Sequence, residues 1–189
     1  MAPVEPAELR AAVDEVAVRG LIAAYADVVN RRAWGELHGL FLSDAPLHLD
    51  LRDRPAVEHV GPAAIGAFID GAIERFAFFE FVALNLRVLR DADPDRARVR
   101  TYMCELRQDH AGTPSRAFGL YQDDVVRTPD GWRFASRDYQ SMGRGEHGLD
   151  LMPLPEILSR TDRRTSSVGP LDVGDVGWDA GPQHCWRRR

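Results

Sequence analysis

The strongest constraint on this fold is a series of four long apolar segments in the second half of the chain. They are FEFVALNLRVLRD (79–91), RARVRTYMCELRQD (96–109), RAFGLYQDDVVR (116–127) and WRFASRDYQ (132–140). Short segments rich in Asp, Pro and Gly separate them, at 91–95, 109–115 and 128–131. Apolar and aromatic runs between turn-forming residues are typical of strands joined by hairpins. The pattern therefore predicts an antiparallel meander of four strands.

Helical segments precede this meander. Helices are predicted at about 7–30, 33–42 and 62–76, and LHLDL (47–51) alternates as a strand does. In the first helix one apolar stripe is predicted, formed by Leu9, Val13, Val16, Ala17, Leu21, Ala24 and Val28. Helices followed by a run of strands predict an α+β fold, in which the helices pack on one face of an antiparallel sheet.

The length of 189 residues suits one domain with an extension. Apolar periodicity is lost from Gly143 onward, so we expect a domain at 1–142 and a C-terminal extension at 143–189. The extension contains Trp178 and Trp186, which are costly to leave exposed. We therefore expect it to dock on the domain or on a partner subunit.

Charge and motif content exclude several function classes. The net charge of −5 opposes nucleic-acid binding, which needs a basic surface. All 24 basic residues are Arg, which excludes a lysine Schiff base and a P-loop lysine. Cys104 and Cys185 form no CxxC pair and no HxxxH, HxH or HExxH motif occurs, so no metal is expected. No apolar run is long enough to span a membrane, and a cytoplasmic location is expected.

Four motifs resemble the SnoaL-like branch of the NTF2-like superfamily, over about residues 8–142. YADVVN (25–30) is followed by WGELHGLFLSDA (34–45), and GPAAIGAFI (61–69) begins a helix. Asn85 lies in the long strand, and GLYQDDVVRTPDGWRFASRD (119–138) ends the series. The resemblance implies a cone, in which a curved antiparallel sheet and three N-terminal helices enclose a pocket.

The resemblance also implies a pocket for a lipophilic small molecule of polyketide-, terpenoid- or steroid-like character. Enzymes of this group include dehydratases, isomerases, epoxide hydrolases and polyketide cyclases, and they need no metal or organic cofactor. Their chemistry is proton transfer by a few polar groups in an apolar cavity. Such a cavity strengthens hydrogen bonds and moves pKa values toward neutrality.

Two acid/base groups of that family are missing here. Dehydratase-like members have an acid at the position of Asn30 and a His at the position of Phe81. Asn exchanges no proton at neutral pH, and Phe neither donates nor accepts one. The replacements favour an alternative to an enzyme, namely a binding or accessory protein that lost the acid/His pair. For Asn30 we favour a helix cap, with a polar contact to a ligand as the second reading.

The predicted catalytic candidates are Tyr25, Asp27, Glu105 and Asp123. Tyr25 is either a half-buried helix residue whose hydroxyl reaches water or a hydroxyl aimed into the pocket. Asp27 either substitutes for the missing acid or pairs with a neighbouring Arg. Glu105 shares a strand face with apolar residues, which should raise its pKa, unless it pairs with an Arg on another strand. For Asp123 we favour a structural pair with Arg137 over catalysis.

The candidates for substrate binding are polar or aromatic residues at pocket-like positions: Asn30, Trp34, His48, Phe81, Asn85, Tyr102 and Tyr121. For His48 and Asp50 the solvent-facing reading is favoured, because the leucines on the other face of their strand suit the interior. Asn85 is expected to be buried, with its amide satisfied by the protein or by a ligand. Tyr102 is expected on the face opposite Glu105.

The sequence thus favours a cofactor-independent lyase or isomerase that carries out a dehydration, isomerisation or cyclisation. Tyr25 and Tyr121 would donate hydrogen bonds to a substrate oxygen, and one of the three candidate acids would transfer the proton. A homodimer is expected, with Leu84, Leu86 and Val88 on the free convex face of the sheet as its contact surface.

Overall fold

The computed structural model describes residues 5–145 and 150–151. Within these residues the helices are α1 (Pro6–Arg31), a 3-10 helix (Trp34–Gly39) and α2 (Pro62–Ile73). The strands are β1 (Pro46–Asp50), β2 (Val57–Val60), β3 (Phe76–Arg90), β4 (Arg96–Asp109), β5 (Pro114–Thr128), β6 (Gly131–Gly145) and β7 (Asp150–Leu151). The predicted α+β class and the predicted order of helices and long strands are confirmed.

The strands form a curved sheet that does not close, in the order β2-β1-β6-β5-β4-β3, with β7 paired to β6. β3 to β6 form the predicted antiparallel meander, and β1 joins β6 in parallel. Bulges interrupt the register in β3 and between β5 and β6, and such bulges bend a sheet. β2 was not predicted, because VEHV is short and largely exposed and lacks an apolar alternation.

The predicted boundary at 142 falls inside β6, which continues to Gly145. β7 then pairs with β6 through Leu151 and Asp150. The remainder of the predicted extension, including Trp178 and Trp186, lies outside the described residues.

The apolar stripe predicted for α1 is correct only in its C-terminal part. The buried residues of the helix are Val18, Leu21, Ile22, Tyr25, Val28 and Val29. Leu9, Val13 and Val16 are instead 58–70% exposed. The first turns face the β3–β4 turn with polar residues, where Arg10 pairs with Asp95 at 3.1 Å. Only from Val18 onward does the helix contribute to the core above β3.

The side chain of Asn30 anchors the last turn of α1 to strand β3. Its Nδ2 donates to the Phe81 carbonyl oxygen at 3.0 Å, and its Oδ1 accepts from the Phe81 amide at 2.7 Å. These backbone groups point away from β4, at the edge of the described sheet, where no strand pairs with them. The helix is capped by Arg32, which has a φ of 57°. The predicted capping role of Asn30 is therefore wrong, and the residue acts as an anchor.

A bulge in β3 overturns two predictions about this strand. Between Ala83 and Leu86 the strand has one more residue than β4 opposite, which reverses the alternation beyond it. Asn85 lies in the bulge and is exposed, so the prediction that it is buried is wrong. Leu86 and Val88 face inward and pack on the core, so they do not belong to the convex face.

Apolar side chains are nevertheless exposed on this part of the sheet. Leu84 is 54% exposed, Phe78 50% and Leu106 37%. The homodimer stays a prediction, and of its three proposed contact residues only Leu84 remains available.

The Asn30 anchor predicts the effect of restoring an acid at this position. Asn30→Asp removes the donor to the Phe81 carbonyl and places a carboxylate against it, so we expect a loss of about 1–3 kcal/mol in the free energy of unfolding. The matched control Asn85→Asp, at the exposed bulge, should change the free energy of unfolding by less than about 0.5 kcal/mol. Urea unfolding of both variants measures this, and equal effects would contradict the anchor.

Candidate active site

A cavity of about 160 Å³ lies between the helices and the inner face of the sheet. Its wall is predominantly apolar, with residues from α1, α2, β1 and β3: Val29, Leu47, Leu49, Leu51, Phe68, Ile69, Ala72, Ile73, Phe76, Phe79 and Phe81. Polar side chains enter it from α1, from the turn before β3 and from the long strands. They are Tyr25, Arg75, Glu105, Arg107, Tyr121, Tyr139, Ser141 and Arg144.

Three tyrosines form one side of the cavity. Tyr25 is 2% exposed, and Tyr121 and Tyr139 are each 6% exposed. Burial raises the pKa of all three hydroxyls, so they stay protonated at neutral pH. Hydrogen bonding with Tyr121 opposes the rise in the pKa of Tyr25, and hydrogen bonding with Ser141 opposes that of Tyr139. A protonated tyrosine hydroxyl can donate a hydrogen bond to a ligand.

Gly119 makes room for this arrangement. A Cβ atom at this position would lie 2.2 Å from the ring of Tyr139, which packs against the strand there. A side chain would displace the tyrosine from the cavity wall. This explains the glycine two residues before Tyr121 in the motif GLY.

Among the described residues, Glu105 is the carboxylate that lines the cavity. Its side chain is 23% exposed, and burial raises the pKa of this carboxyl above its usual range. Arg107 approaches one of its oxygens at 3.4 Å, which is longer than a strong charge-assisted hydrogen bond. The negative charge of Glu105 in turn contributes to the raised pKa of Tyr25, Tyr121 and Tyr139. The acid and the three hydroxyls therefore converge on the same space.

Asp123 is held in a different way. Arg137 donates to its two carboxylate oxygens at 2.8 Å and 3.2 Å, and both side chains are fully buried. The guanidinium carbon lies 3.9 Å from the ring centroid of Tyr25 and 4.0 Å from that of Tyr121. The favoured structural pair is thus present. Asp123 does not line the cavity, so it supports the tyrosines and has no access to a ligand there.

Three arginines occupy the mouth of the cavity. Arg107 also donates to the Arg116 carbonyl oxygen at 3.0 Å. Arg144 pairs with Asp53 at 2.7 Å and donates to the Leu51 carbonyl oxygen at 2.9 Å. Together with Arg75 they lower the energy of the ionised form of Glu105, which limits the rise in its pKa. The site therefore combines an apolar interior with a basic entrance.

Two predicted site residues serve the surface or the scaffold instead. Asp27 is exposed and accepts a hydrogen bond from Arg31 at 2.8 Å, so the pairing alternative holds and this acid does not replace the missing one. Trp34 donates its indole N–H to Asp70 at 2.9 Å and packs against Gly66, which joins the 3-10 helix to α2. Neither residue lines the cavity.

His48 lies on the outer face of β1, opposite the leucines that line the cavity, so its assignment to substrate binding is wrong. Its Nδ1 contacts Asp138 at 2.8 Å and its Nε2 contacts Glu58. Asp50 is not its partner and accepts from the Arg52 amide. Tyr102 lies opposite Glu105 in β4, as predicted, and therefore points away from the cavity.

Phe81 and Tyr121 do line the cavity, whereas Asn30 and Asn85 do not. Phe81 is 3% exposed and packs edge-on against Tyr25, with 5.6 Å between ring centroids. Phe81 is therefore part of the apolar wall. The side chain of Asn30 is bonded to the backbone of the same Phe81.

Sequence reasoning missed Tyr139, Ser141 and the arginines. Arg107 stands two residues after Glu105, and Tyr139 two after Arg137, so strand alternation places each on the inner face. That signal was available. Arg75 precedes β3 and Arg144 lies beyond the predicted end of the last strand, so only the folded chain brings these two to the cavity.

Among residues 5–145 and 150–151, no group of three or more His, Cys, Asp or Glu side chains is arranged to hold a metal ion. The helices in this part of the chain include none with the length and apolarity needed to cross a membrane.

A match to a protein-family model identifies the family of this chain. The SnoaL-like domain matches residues 10–138 of the chain. The chain belongs to the SnoaL-like family. A curated relative of this SnoaL-like protein, the uncharacterized protein Rv2910c of Mycobacterium tuberculosis, is 28% identical over 127 residues. The match covers 66% of this chain and 82% of that protein.

Solved structures agree on the fold of the SnoaL-like domain. A candidate scytalone dehydratase from Novosphingobium aromaticivorans superposes with a TM-score of 0.63 at 17% identity, covering 75% of this chain and 93% of that one. A hexachlorocyclohexane dehydrochlorinase, LinA-type3 from Novosphingobium barchaimii, gives a TM-score of 0.61 at 15% identity, covering 78% and 96%. The predicted fold is thereby confirmed, and the match over residues 10–138 confirms the resemblance to the SnoaL-like family.

Asp123 is tightly paired and Glu105 is loosely paired, so substitutions of these two inward acids should affect stability differently. Asp123→Asn leaves the buried charge of Arg137 without its counter-ion, so we expect a loss of about 3–5 kcal/mol in the free energy of unfolding. Glu105→Gln replaces a carboxylate that burial disfavours by a neutral group of similar shape, and we expect a change of less than about 1 kcal/mol. Guanidinium unfolding at neutral pH compares them. Losses of similar size would show that Glu105 is structural too.

Proposed function

We propose that this SnoaL-like protein is an acid/base enzyme, a lyase or isomerase, in which Glu105 removes a proton from a carbon atom of a small cyclic substrate. The observation that carries the proposal is the position of Glu105. It is the carboxylate that lines the cavity, it is held only loosely by Arg107, and burial raises its pKa toward the range of a useful base.

The chemistry needs only the protein's own side chains. The Glu105 carboxylate takes a proton from the carbon next to a substrate carbonyl, and the C–H electron pair moves onto the carbonyl oxygen. The O–H groups of Tyr25 and Tyr139 donate to the enolate that forms. Return of the proton at another carbon gives an isomerisation. Loss of a β-hydroxyl group, which leaves as water with the proton from Glu105, gives a dehydration.

The cavity volume narrows the substrate class. At about 160 Å³ it is close to cavities that accept a benzene ring and below the usual range of pockets for larger ligands. A single ring of polyketide or terpenoid origin is therefore the proposed reacting part, and the four-ring steroid class is disfavoured. Two fold relatives carry names of eliminating enzymes, a dehydratase and a dehydrochlorinase, which supports a lyase.

A second candidate function is binding without catalysis. It is favoured by Asn30 and Phe81, which stand where dehydratase-like relatives have an acid and a His, and which are both used for structure here. In that case the cavity would hold a ligand and Glu105 would only contribute polarity. The two functions differ in a single observable, which is proton exchange on the ligand.

Deuterium exchange tests the enzyme directly and needs no knowledge of the natural substrate. Cyclic β-hydroxy ketones and the matching enones are incubated with the protein in D₂O, and NMR follows exchange at the α-carbon and loss of water. We expect the wild type to accelerate exchange, and Glu105→Gln to slow it by about 10²-fold or more, because general-base catalysis is worth that much.

The matched control is Glu80→Gln, an exposed acid one residue before Phe81 on the outer face of β3. The Glu80→Gln variant should catalyse deuterium exchange on the ligand at the wild-type rate. Since only ionised Glu105 acts as a base, the wild-type rate should rise with pH through a pKa above the ordinary Glu value of about 4.3. Exchange that survives in Glu105→Gln would refute its role, and the absence of exchange in every protein would favour the binding function.

A further inference from the structure

The arginines at the mouth lie where two concave surfaces meet. Arg75, Arg107 and Arg144, together with Phe76, line the inner cavity. The same four residues also line a more open groove of about 600 Å³ on the outside, beside the β4–β5 turn. A ligand whose ring fills the cavity must place any substituent that points outward among these guanidinium groups.

Two of the three arginines have capacity for a ligand. Arg144 is already bound to Asp53 and to the Leu51 carbonyl oxygen. Arg107 has only the 3.4 Å contact with Glu105 and one carbonyl partner. Arg75 makes no ion pair with a residue in the described part of the chain, and its guanidinium lies over the Phe76 ring. Arg75 and Arg107 can therefore take up a further acceptor.

The Phe76 ring contacts both of these side chains. The guanidinium carbon of Arg75 lies 4.8 Å from the centroid of its ring, and that of Arg107 lies 5.1 Å from it. The ring itself is 8% exposed and fixed in the core. Guanidinium groups placed on an aromatic ring are pre-organised, and their planar forks match the two oxygens of a carboxylate.

The charge balance at this place differs from that of the whole chain. The chain has a net charge of −5, whereas the cavity lining described here contains three arginines and the carboxylate of Glu105. Asp53 pairs with Arg144 beside the cavity, and Asp109 lines the outer groove. Burial lowers the pKa of Arg107, and the positive charges of Arg75 and Arg144 lower it further. An anion placed between them would relieve that repulsion.

We propose that Arg75 and Arg107 bind a carboxylate group of the substrate, so that the substrate is a small cyclic carboxylic acid with its ring in the cavity. This inference rests on the proposed function and specifies the substrate class of the same site. It also links binding to reactivity. A carboxylate that pairs with Arg107 competes with Glu105, and Glu105 becomes the stronger base once its counter-ion is drawn away.

Benzoate and benzamide test the proposal, because they share one ring and nearly the same shape and differ in charge. Isothermal titration calorimetry on the full chain measures the dissociation constant of each. We expect benzoate to bind at least about tenfold more tightly than benzamide, because hydrogen bonds between the arginines and a carboxylate join two charged groups and are stronger than those to a neutral amide. High salt should reduce this preference. Arg107→Gln and Arg75→Gln should each reduce it towards equality.

Two control variants and the second test variant make the result decisive. Arg87→Gln changes an exposed arginine on the outer face of β3 and should keep the preference. Arg75 is exposed, so its variant stays informative if Arg107→Gln fails to fold. Glu105→Gln should keep or increase the preference while it loses proton exchange, which separates this proposal from the catalytic one. Equal binding of the two probes, a preference that survives both arginine variants, or no benzoate binding below about 10 mM would overturn it.

Discussion

The buried pair of Arg137 and Asp123 is the interaction on which the site depends. A charged guanidinium with no exposure is tolerated only where a carboxylate neutralises it, and Asp123 does so with two hydrogen bonds. The same guanidinium lies on the rings of Tyr25 and Tyr121, so one ion pair connects β5, β6 and α1. Its placement sets the tyrosine side of the cavity, and the tyrosines in turn are positioned toward Glu105.

The position of Glu105 relative to that pair separates scaffold from chemistry. Both inward acids are desolvated. Both carboxylate oxygens of Asp123 accept hydrogen bonds from Arg137, whereas Glu105 faces the cavity and has one long contact, with Arg107. A tightly paired carboxylate is a poor base, while a desolvated and loosely paired one can exchange protons. In this SnoaL-like protein the carboxylate of Glu105 thus lines the cavity, while Phe81 belongs to its apolar wall and Asn30 anchors α1 to the backbone of Phe81.

Much of the fold could be predicted from the sequence, because long apolar strands between Asp-Pro-Gly turns permit few arrangements. Strand alternation placed Glu105 among apolar residues. Alternation and the resemblance of the Gly-x-Tyr-x-Asp motif together pointed to Tyr121 and to Asp123, with Arg137 as its favoured partner. The orientations of Asn85 and Leu86 could not be predicted in this way. One extra residue in a bulge reverses the alternation there, and no feature of the sequence marks the bulge. Asn30 looked like a cap, and only the position of edge strand β3 reveals its partner. Arg75 and Arg144 come from distant segments that tertiary structure alone brings together.

The most direct test of the central claim is the pKa of Glu105 itself, measured by ¹³C NMR titration of the glutamate side-chain carboxyls, with Glu105→Gln to assign the signal. We expect the Glu105 carboxyl to titrate above the ordinary value of about 4.3, because it is desolvated. Loss of its nearest positive charge in Arg107→Gln should raise the midpoint further. A titration at or below the ordinary value, unmoved by the Arg107 substitution, would contradict the assignment of Glu105 as the base.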